Sequence, residues 1–305
     1  MKKLNLLFAL LIGLTMLSCS SEDELGISNA KNLISITKDS YIRGNTNIYA
    51  SSKFNFKNNK LIDIEHLDGS YDLIDYEGNV ISKISEFDAN GNLEWTTTYT
   101  YDGSKRLTQK KVVPSPTNPI TDVSRQKDFL YDGGIIQSVL SWSDYDGSYK
   151  STISINEEGY ITEDKAFFSD GILFSSFIFN YTNENLSKVI HKDHEGITKF
   201  EVTYNYLDKI ASDAYCYNKY LFGDEWKNNS SLNKQFGLGH FDSFEISKNF
   251  IKDLSWSYSS SVLDYLRTET FEYEFDAEDY LIKQTRNVTE SNGETSKVIT
   301  SFEYQ

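Results

Sequence analysis

Apolar and polar residues alternate along most of the chain beyond its N-terminal segment, in runs that turn-forming residues separate. Phe200, Val202 and Tyr204, for example, alternate with charged or polar residues. A period of two is typical of a β-strand with one buried face, because successive side chains point to opposite sides. We therefore predict a series of strands, each with one apolar and one polar face.

The turns between these strands recur at a nearly constant interval. The residues that precede one set of turns are 24, 26 and 25 positions apart, and an acidic or amide-rich turn follows each of them. They are Tyr131, Ile155, Tyr181 and Tyr206. A second set of turns, at Gly147, Gly171 and Gly196, alternates with the first. Two interleaved sets of turns predict a repeat of antiparallel hairpins.

The fold class that this pattern predicts is all-β, with one large antiparallel up-and-down meander of about 18 strands. Such a sheet has an apolar face that must be kept from water, so we expect it to curl over or to close into a barrel. All three prolines lie in the segment 114–119, which is predicted to be a loop. The repeat continues on both sides of it, so we predict one β domain over residues 31–305, with a split near 114–119 as the alternative.

Two stretches depart from the alternation. The segment Leu221–Phe241 has no clear period, and we predict that it is a long loop and the first candidate for a contact region, with Phe222, Trp226 and His240 as candidate contact residues. The segment Phe244–Leu254 has a spacing that fits a short helix.

The N-terminus has the features of a targeting segment. Residues 1–18 combine Lys2 and Lys3 with an apolar run that is short for a transmembrane span, which predicts a signal peptide. The stretch Met16-Leu17-Ser18-Cys19 resembles a bacterial lipobox, which implies cleavage before Cys19 and acylation of that cysteine. An ordinary secretory peptide is the alternative.

Residues 19–30 are predicted to be a lipidated, acidic tether. The run Ser20-Ser21-Glu22-Asp23-Glu24 is typical of a solvated spacer. It also resembles the tract that directs lipoproteins of Bacteroidota to the outer face of the outer membrane. We therefore expect a lipid-anchored protein of the outer membrane that is exposed on the cell surface, with a periplasm-facing protein as the alternative.

Composition narrows the range of partners. The formal net charge of −15 argues against nucleic acid as a partner. Aromatic residues make up 14% of the chain, which favours pleated sheets. With Cys19 acylated, Cys216 is the only other cysteine, so no intramolecular disulfide is expected.

The sequence offers only weak candidates for a metal-binding or catalytic site. The run from His191 to Glu195 contains potential zinc ligands, but on a strand two residues three apart face opposite sides. The run from Asp88 to Glu94 is too short for a calcium loop and fits a hairpin turn. Nucleophile, nucleotide and metalloprotease motifs are absent from the sequence. We predict no catalytic residue, no metal, no cofactor and no enzymatic activity.

Tryptophan residues offer a possible binding surface. Trp95, Trp142, Trp226 and Trp256 could stack on sugars if several of them were exposed together. A tryptophan on a strand more often belongs to the core, and Trp226 alone lies in the segment without a period.

The turn motif resembles that of a known repeat. The stretches Phe87–Leu93, Tyr99–Leu107 and Tyr273–Leu281 resemble the YD repeats of Rhs-type proteins. With the lipobox, the stretch Ile246–Asn249 and the closing hairpins, residues 40–305 resemble an uncharacterised Bacteroidota lipoprotein domain with a porin-like fold. The resemblance implies a large antiparallel sheet or barrel and brings no catalytic residue with it.

Function remains at the level of a class. We expect a non-catalytic surface lipoprotein that acts as a binding or interaction module for a glycan, a host surface or an envelope protein. The alternatives are an integral outer-membrane barrel and a glycan hydrolase that uses carboxylates.

Overall fold

A computed structural model describes residues 31–42, 47–58, 60–116, 123–143, 145–211, 247–259 and 264–305. These residues form eighteen β-strands, and none of them is helical. Accordingly, this part of the chain has no helix long and apolar enough to cross a membrane.

The strands follow one another through the segment from residue 33 to residue 304. Their bounds are β1 Leu33–Ile42, β2 Ala50–Lys57, β3 Lys60–His66, β4 Tyr71–Glu77, β5 Val80–Phe87, β6 Leu93–Tyr101, β7 Leu107–Pro114, β8 Arg125–Asp132, β9 Ile135–Trp142, β10 Tyr145–Ile155, β11 Ile161–Phe167, β12 Leu173–Thr182, β13 Asn185–Asp193, β14 Thr198–Ile210, β15 Asn249–Ser259, β16 Asp264–Phe275, β17 Leu281–Glu290 and β18 Thr295–Tyr304.

Each strand pairs antiparallel with the next one in sequence, and β1 pairs with both β2 and β18. The last strand therefore meets the first, as in the pair Thr37 and Ser301, and the sheet closes into a barrel. The structure confirms the predicted all-β meander. Of the two forms that were predicted for it, a curled sheet and a closed barrel, the structure has the closed barrel. Val112 pairs with Arg125, so the strands on both sides of the proline-rich segment belong to the same sheet.

The apolar faces of the strands point into the barrel. In a closed barrel each strand side chain points either inward or outward, and no described element covers the outside. Ile153, Val202 and Leu254 are 0%, 0% and 3% exposed, so they lie on the inner face. Their sequence neighbours Thr152 and Thr203 point outward.

Polar contacts between neighbouring strands cover the outer wall. Nζ of Lys188 lies 2.7 Å from a carboxylate oxygen of Glu201, and Asn205 donates to Asp253 at 2.6 Å. Similar outward pairs join Lys83 to Asp75, Lys283 to Glu274, Asn55 to Asp63 and Gln109 to Asp128. The buried apolar side chains thus lie on the inner wall, while the outer wall carries ion pairs and amide contacts together with exposed apolar residues such as Leu73, Leu130 and Val139.

One end of the barrel carries a repeated tyrosine contact. Near the end of an even-numbered strand, a tyrosine hydroxyl donates to the backbone carbonyl of an apolar residue near the start of the preceding odd-numbered strand. The donor and acceptor pairs are Tyr76 and Leu61, Tyr101 and Ile81, Tyr131 and Leu107, Tyr181 and Ile161, Tyr206 and Leu186, Tyr273 and Ile251, and Tyr304 and Leu281. We call this end the tyrosine end and the opposite end the hairpin rim.

The tyrosine end is also where the core packs most tightly. Apolar residues within the first three positions of odd-numbered strands are 0–1% exposed at seven strands: Leu61, Ile81, Leu107, Ile136, Leu186, Ile251 and Leu281. By contrast, the inward-facing Tyr149 and Tyr258 near the hairpin rim are 39% and 42% exposed. The interior is therefore more accessible from the hairpin rim.

Two expectations about elements were wrong. The predicted helix Phe244–Leu254 is a strand from Asn249 onward, and residues before Ser247 lie outside the described part. A register shift between Asn205 and Tyr206 leaves an extra residue in β15, which turns Ile251 and Leu254 to the same face. Two buried residues three apart resemble a helical spacing.

The second error concerns a turn. The segment 145–147 was predicted as a turn, but it belongs to β10, and Tyr145 pairs with Trp142. A register shift between Tyr145 and Ser148 accommodates the extra residues.

Candidate functional site

The contact loop predicted from the sequence lies outside the described residues, and so do Phe222, Trp226, His240 and the predicted lipidation site Cys19. The residues that flank the loop are described. The amide of Ala211 donates to the carbonyl of Lys248 at 2.8 Å, beside the tyrosine end. The loop therefore leaves and re-enters the barrel at the tyrosine end, where β1 also begins.

The histidines of the potential zinc cluster point to different environments. His191 faces inward and stacks between Phe177 and Phe200, with ring centroids 4.6 and 4.8 Å away. Burial lowers its pKa. His194 is exposed at the turn, 3.8 Å from its neighbour Glu195. Within the described ranges, no group of three His, Cys, Asp or Glu side chains could hold a metal ion.

The carboxylate of Asp88, which begins the calcium-like run, is occupied by its own turn. It accepts hydrogen bonds from the backbone amides of Asn90 and Asn92 at 2.9 and 2.8 Å, and from the side chain of Asn92. These hydrogen bonds hold the pKa of Asp88 below its usual value. The arrangement is an Asx turn, which closes the hairpin.

A serine, a histidine and an aspartate are hydrogen bonded in sequence on the inner wall. Ser52 Oγ lies 3.0 Å from His66 Nδ1, and His66 Nε2 lies 3.4 Å from Asp72 Oδ2. His66 borders a depression of about 440 Å³ at the β3–β4 hairpin, and Ser52 does not. The hydroxyl of Ser52 is therefore not placed to act as a nucleophile on a ligand in that depression. Its contact with His66 and the contact of His66 with Asp72 instead connect β2, β3 and β4.

Four charged groups line another part of the inner wall, on β5, β7, β8 and β11. Lys110 and Lys127 lie directly opposite each other, and burial lowers the pKa of each to about 8. Glu86 opposes that shift for Lys110, and Asp164 opposes it for Lys127. Burial in turn raises the pKa of Asp164 to about 6. The group is electrically balanced and fits a buried polar network.

The strongest candidate for a contact surface is a cluster of four aromatic rings at the hairpin rim, which we call the rim patch. It consists of Trp142, Tyr149, Phe168 and Phe174. Trp142 ends β9, Tyr149 lies opposite Leu140 in β10, Phe168 follows β11, and Phe174 is the second residue of β12. Two hairpins therefore bring the four rings together.

The rings of the rim patch meet at varied angles. Trp142 and Tyr149 form an edge-to-face pair with centroids 5.3 Å apart and planes at 80°. Phe168 lies 6.1 Å from Tyr149 and 5.0 Å from Phe174, the latter at 70°. Tyr149, Phe168 and Phe174 are 39%, 38% and 49% exposed. Rings that meet edge to face leave part of their faces open to a ligand, unlike rings stacked face to face.

Backbone geometry explains why Phe168 and Phe174 reach the rim. They flank the turn Ser169-Asp170-Gly171, in which Gly171 has a φ of 85° and Asp170 accepts the amide of Ile172 at 3.0 Å. A register shift between Ala166 and Phe167 leaves Phe174 as an extra residue in β12, because Ala166 pairs with Ser175 and Phe167 pairs with Leu173. Ile172, 59% exposed, extends the apolar surface. The sequence could have indicated this surface, because three large apolar residues, Phe168, Ile172 and Phe174, flank a turn whose geometry does not require apolar side chains.

Comparisons with known proteins were made for the sequence and for the fold. No family model matches the sequence, and no curated protein matches it. Among solved structures, the barrel is similar to a porin-like protein from Bacteroides uniformis, with 13% identity, a TM-score of 0.47, and coverage of 90% of this chain and 99% of that one.

Two further solved structures are similar to this chain. A porin-like protein from Bacteroides vulgatus has 11% identity and a TM-score of 0.42, with the same coverage. A chain of the TcdB2-TccC3-Cdc42 complex has 10% identity and a TM-score of 0.23. That match covers 83% of this chain and 15% of the other chain.

Two other tryptophans of the described residues do not join the rim patch. Trp95 and Trp256 lie on β6 and β15, on the inner face, opposite Glu86 and Arg267 respectively. A platform built from several tryptophans is therefore not present in the described part of the chain. One tryptophan, Trp142, contributes to the exposed aromatic surface, together with tyrosine and phenylalanine.

Proposed function

We propose that this protein is a lipid-anchored surface module that binds glycans through the rim patch and acts by binding rather than by catalysis. The observation that carries the proposal is the group of four rings, three of them more than a third exposed, at one end of the barrel. Clustered exposed apolar side chains on a soluble protein mark interaction sites, because they are costly to leave in water.

The chemistry of the rim patch suits a sugar ring. An aromatic face carries partial negative charge, and the C–H groups on one side of a pyranose ring carry partial positive charge. The surroundings add hydrogen-bonding groups, since Ser143 and Asp170 lie in the adjoining turns. The net charge of −15 favours neutral or cationic ligands at an outer surface over anionic ones.

The polarity of the two walls supports placing the barrel in water. A membrane-spanning barrel needs an apolar band on its outside, since lipid tails offer no hydrogen bonds. Here the outside carries ion pairs such as Lys188 with Glu201, and the buried apolar residues point inward. An integral membrane barrel would also have a closed sheet, but its apolar side chains would have to point outward.

The position of the first strand supports an outward orientation of the rim. β1 begins at Leu33, which pairs with Tyr304 at the tyrosine end. The chain between the predicted anchor at Cys19 and the barrel therefore connects to the tyrosine end, and we propose that the hairpin rim faces away from the membrane. The rim patch is then well placed for a ligand outside the cell.

The test is binding of residues 31–305 to a panel of immobilised neutral and acidic oligosaccharides, compared with the variants Trp142→Ala and Phe168→Ala. We expect retention on neutral glycans and about a tenfold loss of affinity for each variant. Leu130→Ala is the matched control, because Leu130 is 64% exposed on the outer wall away from the rim patch. Equal binding by all three variants, or no retention on any glycan, would contradict the proposal.

A further inference from the structure

The depression at the β3–β4 hairpin, with a volume of about 440 Å³, opens on the outer wall of the barrel. Ile64 packs against the core, so its neighbours Asp63 and Glu65 point outward. In the β3–β4 register, Leu73 and Tyr71 lie opposite these two residues and therefore share their face. All four side chains line the depression, and the hairpin closes its upper edge.

Two carboxylates form one side of the depression. Asn55 on β2 donates through Nδ2 to Asp63 Oδ1 at 2.5 Å and to Glu65 Oε1 at 3.2 Å. Because one amide nitrogen contacts both groups, the two carboxylates lie close together. Among the described residues, no hydrogen bond or ion pair reaches the second oxygen of either carboxylate. These two oxygens can therefore accept N–H groups of a ligand.

An aromatic ring forms the opposite side. Tyr71 stacks on Phe87 of β5, with ring centroids 4.8 Å apart and planes at 9°. Since β4 lies between β3 and β5, Phe87 covers one face of the ring, and the other face is turned toward the depression. Leu73, 43% exposed, adds an apolar surface beside it. The face of an aromatic ring attracts a cation through its quadrupole.

The charges that border the depression leave it negative. Asp63, Glu65 and Asp68 in the hairpin give three formal negative charges. Lys53 on β2 lies opposite Glu65 and gives one positive charge, so the formal sum is −2 with histidine counted as neutral. No ion pair within 4.0 Å joins Lys53 to a described carboxylate. Asp68 accepts the amide and the hydroxyl of Ser70, within the turn.

The other charged groups nearby do not change this sum. Lys83 and Asp75, further along the outer face of β4 and β5, form an ion pair at 2.7 Å and cancel each other. His66 borders the depression, and its Nε2 lies 3.4 Å from Asp72, which faces the interior. A positive charge on His66 would therefore be balanced by Asp72 rather than by the outward carboxylates.

The chain itself holds an ammonium group with the same two elements elsewhere. Lys209 Nζ lies 3.4 Å from the ring centroid of Phe275 and 2.5 Å from Asp279 Oδ1. A ring face and a carboxylate thus hold a lysine ammonium at the surface of this barrel. Among the described residues, no lysine makes such contacts with Tyr71 or with the two carboxylates beside it.

We propose that the depression binds a small organic ligand with a primary ammonium group, which lies between Asp63 and Glu65 while the body of the ligand packs on Tyr71 and Leu73. A primary ammonium has three N–H donors for the carboxylate oxygens, and it also interacts with the ring face. A quaternary ammonium has no N–H donor and would use the ring alone. The site lies on β2, β3 and β4, away from the rim patch, and does not depend on the proposed function.

The experiment is calorimetric titration of the full chain with glucosamine and with pentylamine, at constant ionic strength and at a pH at which both amines are protonated. N-acetylglucosamine and pentanol are the matched probes without an ammonium group. We expect saturable binding of at least one amine and none of its neutral counterpart. Binding of glucosamine alone assigns an amino sugar, and binding of pentylamine alone assigns an alkylamine such as a lysine side chain.

Variants of the carboxylates test the named contacts. Asp63→Asn and Glu65→Gln should each weaken binding of the amine about fivefold or more. Lys53→Met should strengthen it, because a competing cation is removed, and a damaged fold could not produce that gain. Asp75→Asn is the matched control, since this carboxylate also lies on the outer wall but is paired with Lys83.

Three results would overturn the proposal. The first is that neither amine binds, or that each binds no better than its neutral counterpart. The second is that Asp75→Asn weakens binding as much as the variants of Asp63 and Glu65 do. The third is that choline, a quaternary ammonium, binds as tightly as the amines, because the carboxylates would then not accept N–H groups of the ligand.

Discussion

At the scale of single residues, the repeated tyrosine and the acidic residue after it have separate tasks. The hydroxyl of Tyr101 donates to the carbonyl of Ile81 at 2.7 Å, across to the preceding strand. The carboxylate of Asp102 accepts the amides of Ser104 and Arg106 at 2.9 and 3.0 Å, within its own turn. The first contact joins strands, and the second shapes the hairpin.

Tyr101→Phe tests the first of these tasks. Burial raises the pKa of Tyr101, which is in line with a hydroxyl that is shielded from water and remains protonated. Removing it leaves the carbonyl of Ile81 without that donor, so we expect a loss of about 1 kcal/mol in the free energy of unfolding, measured in urea. Tyr49→Phe is the control, because Tyr49 is 70% exposed and should change stability by less than about 0.5 kcal/mol. Equal effects of the two variants would contradict this role.

The opposed lysines on the inner wall predict a dependence of stability on pH. Burial lowers the pKa of Lys110 and of Lys127 from 10.5 to about 8. Between these two values the unfolded chain binds more protons than the folded chain, so the free energy of unfolding rises as pH increases from about 8 toward about 10. Each lysine could contribute up to about 3 kcal/mol over that range.

Urea unfolding at several pH values in this window checks the expectation. The double variant Lys110→Met, Lys127→Met should flatten the rise, because the two titrating groups are gone. If the free energy of unfolding depends on pH in the same way in the native chain and in the double variant, the lysines are not shielded as described.

At the scale of elements, alternation along a strand is the pattern from which faces could be predicted. In β14, Phe200, Val202 and Tyr204 were expected to share a face, and the structure confirms it, since Val202 and Tyr204 are 0% and 4% exposed and Phe200 packs against the core. The prediction failed where a register shift adds a residue, as at β15, because an extra residue changes the period locally. Register shifts depend on the neighbouring strand, which the local sequence does not specify.

The facing of β10 can be tested with one pair of substitutions at adjacent positions. Ile153→Asp places a carboxylate on the packed inner wall, where Ile153 is 0% exposed, so we expect the barrel to lose more than about 3 kcal/mol or to fail to fold. Thr152→Asp places the same group on the polar outer wall opposite Lys165, and should be tolerated within about 0.5 kcal/mol. Circular dichroism and urea unfolding distinguish the two, and a reversed order would place the inner wall on the other face.

At the scale of the whole molecule, closure decides which surface meets the solvent. A meander with one apolar face fits both a water-exposed barrel and a membrane-spanning one, and the difference lies in whether that face is turned in or out. The pairing of β1 with β18 removes both edges of the sheet, and the buried side chains lie inside. Edge-to-edge association is therefore also avoided.

This facing predicts the behaviour of the isolated barrel. Residues 31–305, without the predicted signal peptide and tether, should be soluble and monodisperse in buffer without detergent, because the outer wall carries ion pairs such as Lys188 with Glu201 and the buried apolar residues face inward. Size-exclusion chromatography with light scattering measures this, with and without a mild detergent. Aggregation in buffer that detergent reverses would instead indicate an apolar outer surface and an integral barrel.

The sequence by itself determined the strand period, the positions of most turns and the number of strands, because alternation and turn chemistry act over a few neighbouring residues. Only the tertiary structure decided that the sheet closes and that its apolar face turns inward. It also decided which distant side chains meet: the rim patch draws on two hairpins, and Glu269 joins Arg286 from the next strand. The physical reason is that such contacts follow from strand register and barrel closure, and both are set by the packing of all strands together.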